Sequence, residues 1–257
     1  MELISKISKG TKMDQVYIPK NRRNFPIGSY VVIKSLETKQ SAERPYFYNI
    51  KTIEPMKIEI IEEIFSLIDK AVKYENVIIT GSFLDMGFNF NDIDIIIISN
   101  DKIDEKYIKN IIEDIIKIKT HILALSNRSL QIGLSTDPLY QMMLSKCIAK
   151  KRLIYRFKRK INYKLLDLHL LKSKSLIDSY DFINGSEKYN LTRNMIAISL
   201  FIQNKKIDKK RIDEEIKRIF NIKNIQDIKK NMLNKKVFLQ RYNNFYNSLS
   251  KKIINNI

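Results

Sequence analysis

Cysteine, tryptophan and long apolar runs are scarce or absent in this 257-residue chain. A single cysteine, Cys147, excludes a disulfide within the chain and any zinc site built from several cysteines. No run of about 18 apolar residues occurs, which excludes an ordinary transmembrane helix. The N-terminal residues Met1 to Lys6 lack the apolar stretch of a secretory signal peptide. These absences predict a cytoplasmic protein with no membrane partner.

Negative charge is also in short supply, and the deficit is concentrated in the C-terminal part of the chain. The net charge is +19. Residues 151–257 contain 26 basic and nine acidic residues, whereas residues 55–150 contain 11 basic and 14 acidic residues. A surplus of this size in a globular segment favours a nucleic acid as partner. The alternative is a solvated, lysine-rich helical surface with no specific partner.

Two short polar motifs lie at the ends of two predicted strands. Gly81 and Ser82 follow the apolar run 76–80, and Gly81 permits close approach of a ligand to the backbone. Ser82 offers a hydroxyl and an N–H group to a phosphate. Asp92 and Asp94 open the isoleucine-rich run that follows, and side chains two apart in a strand share a face. This pair of oxygen ligands suits Mg²⁺ or Mn²⁺ bound together with substrate phosphates.

This spacing of Gly-Ser and Asp-hydrophobic-Asp resembles the polymerase-beta-like nucleotidyltransferase superfamily. The resemblance covers about residues 55–157 and implies a mixed-sheet domain. It implies that Gly81 and Ser82 hold the phosphates of a nucleoside triphosphate. It also implies that Asp92 and Asp94 bind a divalent metal and catalyse transfer of the nucleotidyl group to a hydroxyl.

The candidate site departs from the family pattern in two places. Active members usually have a third carboxylate on a later strand, but the predicted strand 120–125 has no acid and has His121 near that position. His121 is either a catalytic substitute for the acid or a structural residue at a strand edge. Asp85 adds negative charge near the expected phosphate. Asp137, the only later acid of the domain, is interpreted as the start of a helix.

The N-terminal segment, residues 1–54, is predicted to be a small β module. Its string Ile-Pro-Lys, followed by arginines and then a glycine before an alternating strand, is similar to AbrB-like swapped-hairpin DNA-binding domains over residues 1–36. That similarity implies dimerisation, and it implies that Lys20, Arg22 and Arg23 contact nucleic-acid phosphates. The alternative is a β module that only packs on the next domain.

Helical periodicity dominates the remainder of the chain. It predicts helices over residues 56–74, 104–116 and 139–149, the last of which places Cys147 in a buried helix position. An edge strand is predicted at residues 152–155, and from residue 162 onward every apolar pattern is helical.

Together these patterns predict an α+β protein in three parts. They are a β module (1–54), a nucleotidyltransferase-like domain with a mixed sheet (55–157) and a basic helical bundle (158–257). The favoured function is Mg²⁺-dependent nucleotidyl transfer to a nucleic-acid or protein hydroxyl. The competing function is a catalytically inactive regulator of the same fold that binds nucleic acid, as in antitoxins and transcription regulators. A third alternative is an RNA-binding scaffold that no longer binds nucleotide.

Overall fold

A computed structural model describes residues 7–13, 15–16, 27 and 44–256 of the chain. The chain divides into two compact units, residues 1–42 and residues 43–257. In the first unit, β1 (Ile7–Ser8) pairs with β2 (Gln15–Val16) in antiparallel orientation.

The DNA-contacting residues predicted in the N-terminal segment lie outside the described residues. This applies to Lys20, Arg22 and Arg23, and to most of the segment that is similar to AbrB-like domains. The similarity and the dimerisation that it implies therefore stay predictions.

The second unit is built on a mixed sheet of five strands. The strands are β3 (Tyr46–Tyr48), β4 (Asn76–Thr80), β5 (Ile93–Ile98), β6 (Thr120–Leu125) and β7 (Cys147–Ala149). Their order across the sheet is β3-β7-β4-β5-β6. All neighbours are antiparallel except β5 and β6, which are parallel. Strand β3 lies before residue 55 in the chain and belongs to this sheet.

Helices cover the sheet and form the rest of the unit. They are α1 (Pro55–Ala71), α2 (Glu105–Ile116), α3 (Asn127–Thr136), α4 (Pro138–Leu144), α5 (Tyr163–Asp178), α6 (Gly185–Ile202), α7 (Lys209–Phe220), α8 (Ile225–Lys229) and α9 (Lys235–Ile254). Each helix from α2 to α9 begins at an Asp, Asn or Ser whose side chain accepts a hydrogen bond from a backbone N–H of the first turn. Such caps satisfy donors that a helix start leaves unpaired. The predicted α+β class is confirmed.

Alternating isoleucines let β4 and β5 bury both faces of the sheet. Ile79 and Ile95 pack in a core with α1 and α2, whereas Ile78 and Ile96 pack in a second core with α3 and β7. This alternation follows from the two-residue period of a strand. A third core fills the helical bundle, and Tyr242 lies fully buried in it.

The predicted helix over residues 139–149 is wrong in its second half. Helix α4 ends at Leu144, and Cys147 lies in strand β7, between β3 and β4. A short apolar run in a fully buried strand cannot be told from a buried helix by periodicity alone. Residues 152–155 do not form the predicted edge strand, because β3 occupies that edge.

Within the described part of the chain, none of the helices combines the length and the apolar character that crossing a membrane requires.

Candidate functional site

Three polar residues of adjacent strands lie side by side at one end of the sheet. Asp94 of β5 is the register partner of Thr80 on β4 and of His121 on β6. Register partners point to the same face of a sheet. Asp92 lies just before β5, two residues from Asp94. The structure therefore brings together Asp92, Asp94 and His121, the residues that we predicted to be catalytic.

The Asp94 carboxylate packs directly against the backbone of Gly81. Its backbone, with φ 86° and ψ −166°, lies in a region that is essentially restricted to glycine. A Cβ atom at Gly81 would lie 2.1 Å from Oδ2 of Asp94. The predicted close approach to Gly81 is thus made by a carboxylate of the site itself. The Gly-Ser turn and the Asp pair form one packed arrangement.

The Asp94 carboxylate lies in an unfavourable environment for a negative charge. Burial raises the pKa of Asp94, and the neighbouring charge of Asp92 raises it further. His121 and Arg193 oppose this rise in pKa. Two carboxylates held together while partly withdrawn from water favour a bound cation. Asp92 and Asp94 therefore have the electrostatics expected of a metal-binding pair.

Ser82 begins the segment that joins the two motifs. It lies exposed at the start of a 3₁₀ turn, Ser82–Leu84, so its hydroxyl is accessible to a ligand. Phe83 and Leu84 are buried and fix this turn against the core. On the preceding strand, Thr80 donates a hydrogen bond through Oγ1 to the carbonyl of Met143, at 2.6 Å.

A fully buried lysine, Lys57 of α1, holds the loop that follows Leu84. Its ammonium donates to the carbonyl oxygens of Asp85 and Gly87, both at 2.6 Å. It also pairs with Glu54 at 3.0 Å, and the ring centroid of Phe88 lies 5.3 Å away. Since these contacts satisfy a buried charge, they fix the loop between Ser82 and Asp92. Lys57 was not predicted to have a role, because its position resembles an ordinary exposed helix start.

The charge of Asp85, which we expected to lie near the phosphate, is neutralised by two lysines. Lys146 pairs with Asp85 Oδ1 at 2.9 Å, and Lys209 of α7 pairs with Oδ2. Burial alone would raise the pKa of Asp85, but hydrogen bonds from both lysines outweigh it and hold this pKa below the usual value. Asp85 thereby ties the helical bundle to the sheet beside the site.

A second wall of the site comes from the helical bundle and was not predicted. Arg193 of α6 lies close enough to act on the charge of Asp94. One helical turn earlier, the Tyr189 hydroxyl donates to Asp213 of α7 at 2.8 Å. The Lys229 ammonium of α8 lies 4.6 Å from the centroid of the Tyr189 ring. In the sequence, the four-residue spacing of Tyr189 and Arg193 indicates only that both lie on one face of a helix.

A polar cleft of about 730 Å³ opens between residues of α6 and α8 in the helical bundle and the loop that leads into β5. Its lining combines amide and ammonium side chains with one carboxylate: Asn91, Asn184, Asn190, Asn231, Lys229, Lys230 and Glu187, beside Gly185 and Ser186. Asn91 directly precedes Asp92, so the cleft adjoins the Asp pair. Its size lies within the range of small-molecule binding sites.

The donor set at the sheet end fits a metal held by two carboxylates. Across residues 7–13, 15–16, 27 and 44–256, no three His, Cys, Asp or Glu side chains form a group that could hold a metal ion by themselves. Mg²⁺, however, is commonly bound through one or two carboxylates plus water and substrate phosphates. Asp92 and Asp94 supply that number of oxygen ligands. His121 is exposed beside them and does not complete a third protein ligand.

Asp137 and His169 have structural roles outside the candidate site. Asp137 caps α4 by accepting a hydrogen bond from the Leu139 N–H at 2.8 Å. Its other oxygen lies 2.9 Å from Nε2 of His169 on α5. The interpretation of Asp137 as a helix start is confirmed.

Comparisons with protein-family models, with curated proteins and with solved structures found no match to this chain.

Proposed function

We propose that this protein transfers a nucleotidyl group from a nucleoside triphosphate to a hydroxyl, with Mg²⁺ or Mn²⁺ as cofactor. The observation that carries the proposal is the carboxylate of Asp94 packed on Gly81 beside Asp92, at the end of a mixed sheet. This arrangement joins a metal-binding pair to the Gly-Ser turn, as the resemblance to polymerase-beta-like nucleotidyltransferases implies. Two motifs nine residues apart would then serve one substrate.

Each part of the site has a separate role in this proposal. Asp92 and Asp94 hold the metal, and Gly81 and Ser82 bind the phosphates of the nucleotide. The metal, when bound, offsets the negative charge of the phosphates. The acceptor oxygen bonds to the α-phosphorus while the bond from that phosphorus to the bridging oxygen of the β-phosphate breaks. Pyrophosphate leaves, and the hydroxyl proton passes to solvent.

The basic surplus of the helical bundle favours a nucleic acid as the acceptor. The 26 basic residues after residue 150 outnumber the acidic ones nearly threefold, whereas the preceding segment is mildly acidic. Polyanion binding of this kind is electrostatic and depends on salt. A protein hydroxyl is the other acceptor class that this chemistry allows.

A second candidate function, an inactive nucleotide-binding regulator, is favoured by the missing third carboxylate. Strand β6 contains no acid, and His121 does not complete a three-ligand group among the described residues. In this case the fold would bind nucleotide and nucleic acid without transfer.

Labelled nucleoside triphosphates, incubated with the full chain, Mg²⁺ or Mn²⁺ and either total RNA or lysate, test both candidates. An acid-stable labelled product supports transfer, and nucleotide binding without product supports the regulator. Asp92→Asn and Asp94→Asn should abolish transfer, whereas Asp114→Asn, an exposed acid on α2, should not. Thermal stability of Asp94→Asn should hold or rise slightly, since the substitution removes a charge whose pKa is raised by burial. Full activity in both site variants would contradict the metal-pair assignment.

A further inference from the structure

The segment that joins β7 to α5, residues 150–162, is strongly basic, and we call it the connector. It contains neither a helix nor a strand. Seven of its 13 residues are lysine or arginine, and none is acidic. Three of the 11 arginines of the whole chain lie in it, at positions 152, 156 and 159. A lysine-rich composition does not account for a cluster of arginines, which are well suited to phosphate contacts.

Buried and exposed side chains alternate where the connector lies over the sheet. Leu153 and Tyr155 pack against the core that β4, β5 and α3 share. Arg152, Ile154 and Arg156 are exposed. This two-residue alternation is that of an extended chain, and it places both arginines on the outer side.

Hydrogen bonds fix the connector near both of its ends. The Lys151 N–H donates to Oδ1 of Asn76 at 2.9 Å. The Lys160 N–H donates to the Ser135 carbonyl, at the end of α3, at 2.8 Å. A surface that is ordered before it binds loses less entropy when a ligand is bound.

Cations and an aromatic ring are exposed together on the connector. Four exposed cations form neither an ion pair nor a side-chain hydrogen bond with any described residue: Arg152, Arg156, Lys158 and Lys160. Phe157, between two of them, is 41% exposed. Single-stranded nucleic acids bind to such a combination, through phosphates on the cations and through bases stacked on the ring. A duplex and a lipid headgroup offer no unstacked base, so the ring favours a single strand.

The connector lies on the sheet face to which Asp94 points. Asp94 and Ile96 are two residues apart on β5, so they share a face. Ile96 belongs to the core against which Leu153 of the connector packs. The connector and the carboxylate of the candidate site are therefore on the same side of the sheet.

The path of the connector leads towards the candidate site. It begins beside the carbonyl of Val77, near the start of β4. It ends beside α4, where Arg159 donates to Oε1 of Gln141 at 2.8 Å. The same helix accepts a hydrogen bond from Thr80, the residue before Gly81. A strand that followed the connector would run from the far end of the sheet towards the end that contains the Asp pair.

We propose that the connector binds a single-stranded nucleic acid and directs its end towards the Asp pair. Arg152, Arg156 and Lys158 contact phosphates, and Phe157 stacks on a base. Binding of the strand requires no catalysis, whereas its role as the acceptor rests on the proposed function.

Fluorescence anisotropy of labelled single-stranded RNA of about 16 nucleotides, titrated with the full chain at several salt concentrations, tests the inference. Arg152→Gln with Arg156→Gln should weaken binding about tenfold or more at about 0.1 M salt. It should also lower the magnitude of the slope of log affinity against log salt by about 1.4. The matched control is Lys172→Gln with Lys174→Gln on α5. It removes two exposed charges that form no ion pair in the part of the chain that the structure describes, and it should change binding far less.

Two further variants separate the charges from the ring. Arg152→Lys with Arg156→Lys keeps both charges and should retain the salt slope. Phe157→Leu should weaken binding about fivefold or more with an unchanged salt slope, because stacking releases no counterions. Melting temperatures of all variants provide the check on folding.

The possible results have different consequences. Equal losses of RNA affinity in the connector and α5 double variants, or no RNA binding by the wild type, would overturn the inference. Weaker binding of the connector variant to vesicles of phosphatidylcholine and phosphatidylserine, with unchanged RNA binding, would also overturn it, because the partner would be a membrane surface. Loss of RNA binding confined to the connector variants, with no transfer by the wild-type protein, would support the inference and contradict the proposed function. If transfer to RNA occurs, the connector variants should raise KM for RNA and not for the nucleotide.

Discussion

Replacing Gly81 with alanine tests whether the Gly-Ser turn and the Asp pair are one unit. The new Cβ would meet Asp94 Oδ2 at 2.1 Å, in a backbone conformation that L residues rarely adopt. Gly87 is the matched control, because its φ is also positive, at 80°, but a Cβ there meets nothing within 4 Å. Both substitutions place a side chain on a residue with positive φ, and only Gly81→Ala adds a collision with Asp94.

Gly81→Ala should lose more stability than Gly87→Ala, because only the Gly81 side chain would collide with Asp94. A positive φ at a residue other than glycine costs about 1–2 kcal/mol, which is the whole expected loss for Gly87→Ala. The Gly81 conformation costs about 1–3 kcal/mol, and forcing a side chain into a packed site adds about 1–3 kcal/mol. Gly81→Ala should therefore lose about 2–6 kcal/mol. Moving the Asp94 carboxylate should also abolish transfer, whereas Gly87→Ala should retain it.

Urea unfolding followed by circular dichroism measures both losses of stability. The comparison requires that the slope of the free energy of unfolding against urea concentration agrees between variants. The double variant Gly81→Ala with Asp94→Ala removes the colliding carboxylate, so the cost of Gly81→Ala should shrink in that background. Such coupling is what a double-mutant cycle detects. Equal losses for Gly81→Ala and Gly87→Ala, with transfer intact in both, would refute the packed arrangement of the turn and the Asp pair.

Two further predictions concern the charges that hold the site loop. Lys57→Met removes a buried cation that contacts two carbonyl oxygens and Glu54. The free energy of unfolding in urea should therefore fall by about 2–4 kcal/mol. Lys70→Met, on the exposed face of α1, is the control and should be nearly neutral. The backbone N–H of Gly87, followed by Lys57, lowers the pKa of Glu54 from 4.5 to about 2. Because this folded-state pKa lies below the unfolded value, its stabilisation is present near neutral pH and disappears as pH falls from 4.5 towards 2. Melting temperatures in this acid range should fall less for Glu54→Gln than for the wild type, and parallel curves would contradict the assignment.

The parts of the fold that the sequence predicted are those set by local patterns. The isoleucine runs around Gly81 and Asp92 predicted β4 and β5, and the helical stripe before residue 116 predicted α2. Strand register places Asp94 beside His121, and Asp92 lies two residues before Asp94. The short strand β7 was missed, since three apolar residues after a helix have no distinguishing period.

The parts that could not be predicted depend on contacts between distant segments. Lys57 reaches carbonyls 28 and 30 residues away, and Lys209 reaches Asp85 across 124 residues. No local sequence pattern predicts that the Lys229 ammonium lies over the ring of Tyr189, 40 residues earlier in the chain. The outcome depends on how the bundle packs against the sheet, and packing is a property of the whole unit.

Some of the basic residues after residue 150 lie beside the candidate site and not on a separate basic surface. Lys209 neutralises Asp85 beside the site, and Lys229 and Lys230 line the cleft that contains Asn91, the residue before Asp92. Part of the surplus is therefore directed towards the site, and only the remainder is available to a nucleic-acid surface. Under the proposed function, the bundle and the sheet would therefore not separate into a nucleotide-binding half and a nucleic-acid-binding half. A chain that ended near residue 157 would lose one wall of the cleft together with the basic surface, so substitutions in the full chain are needed to assign the two roles.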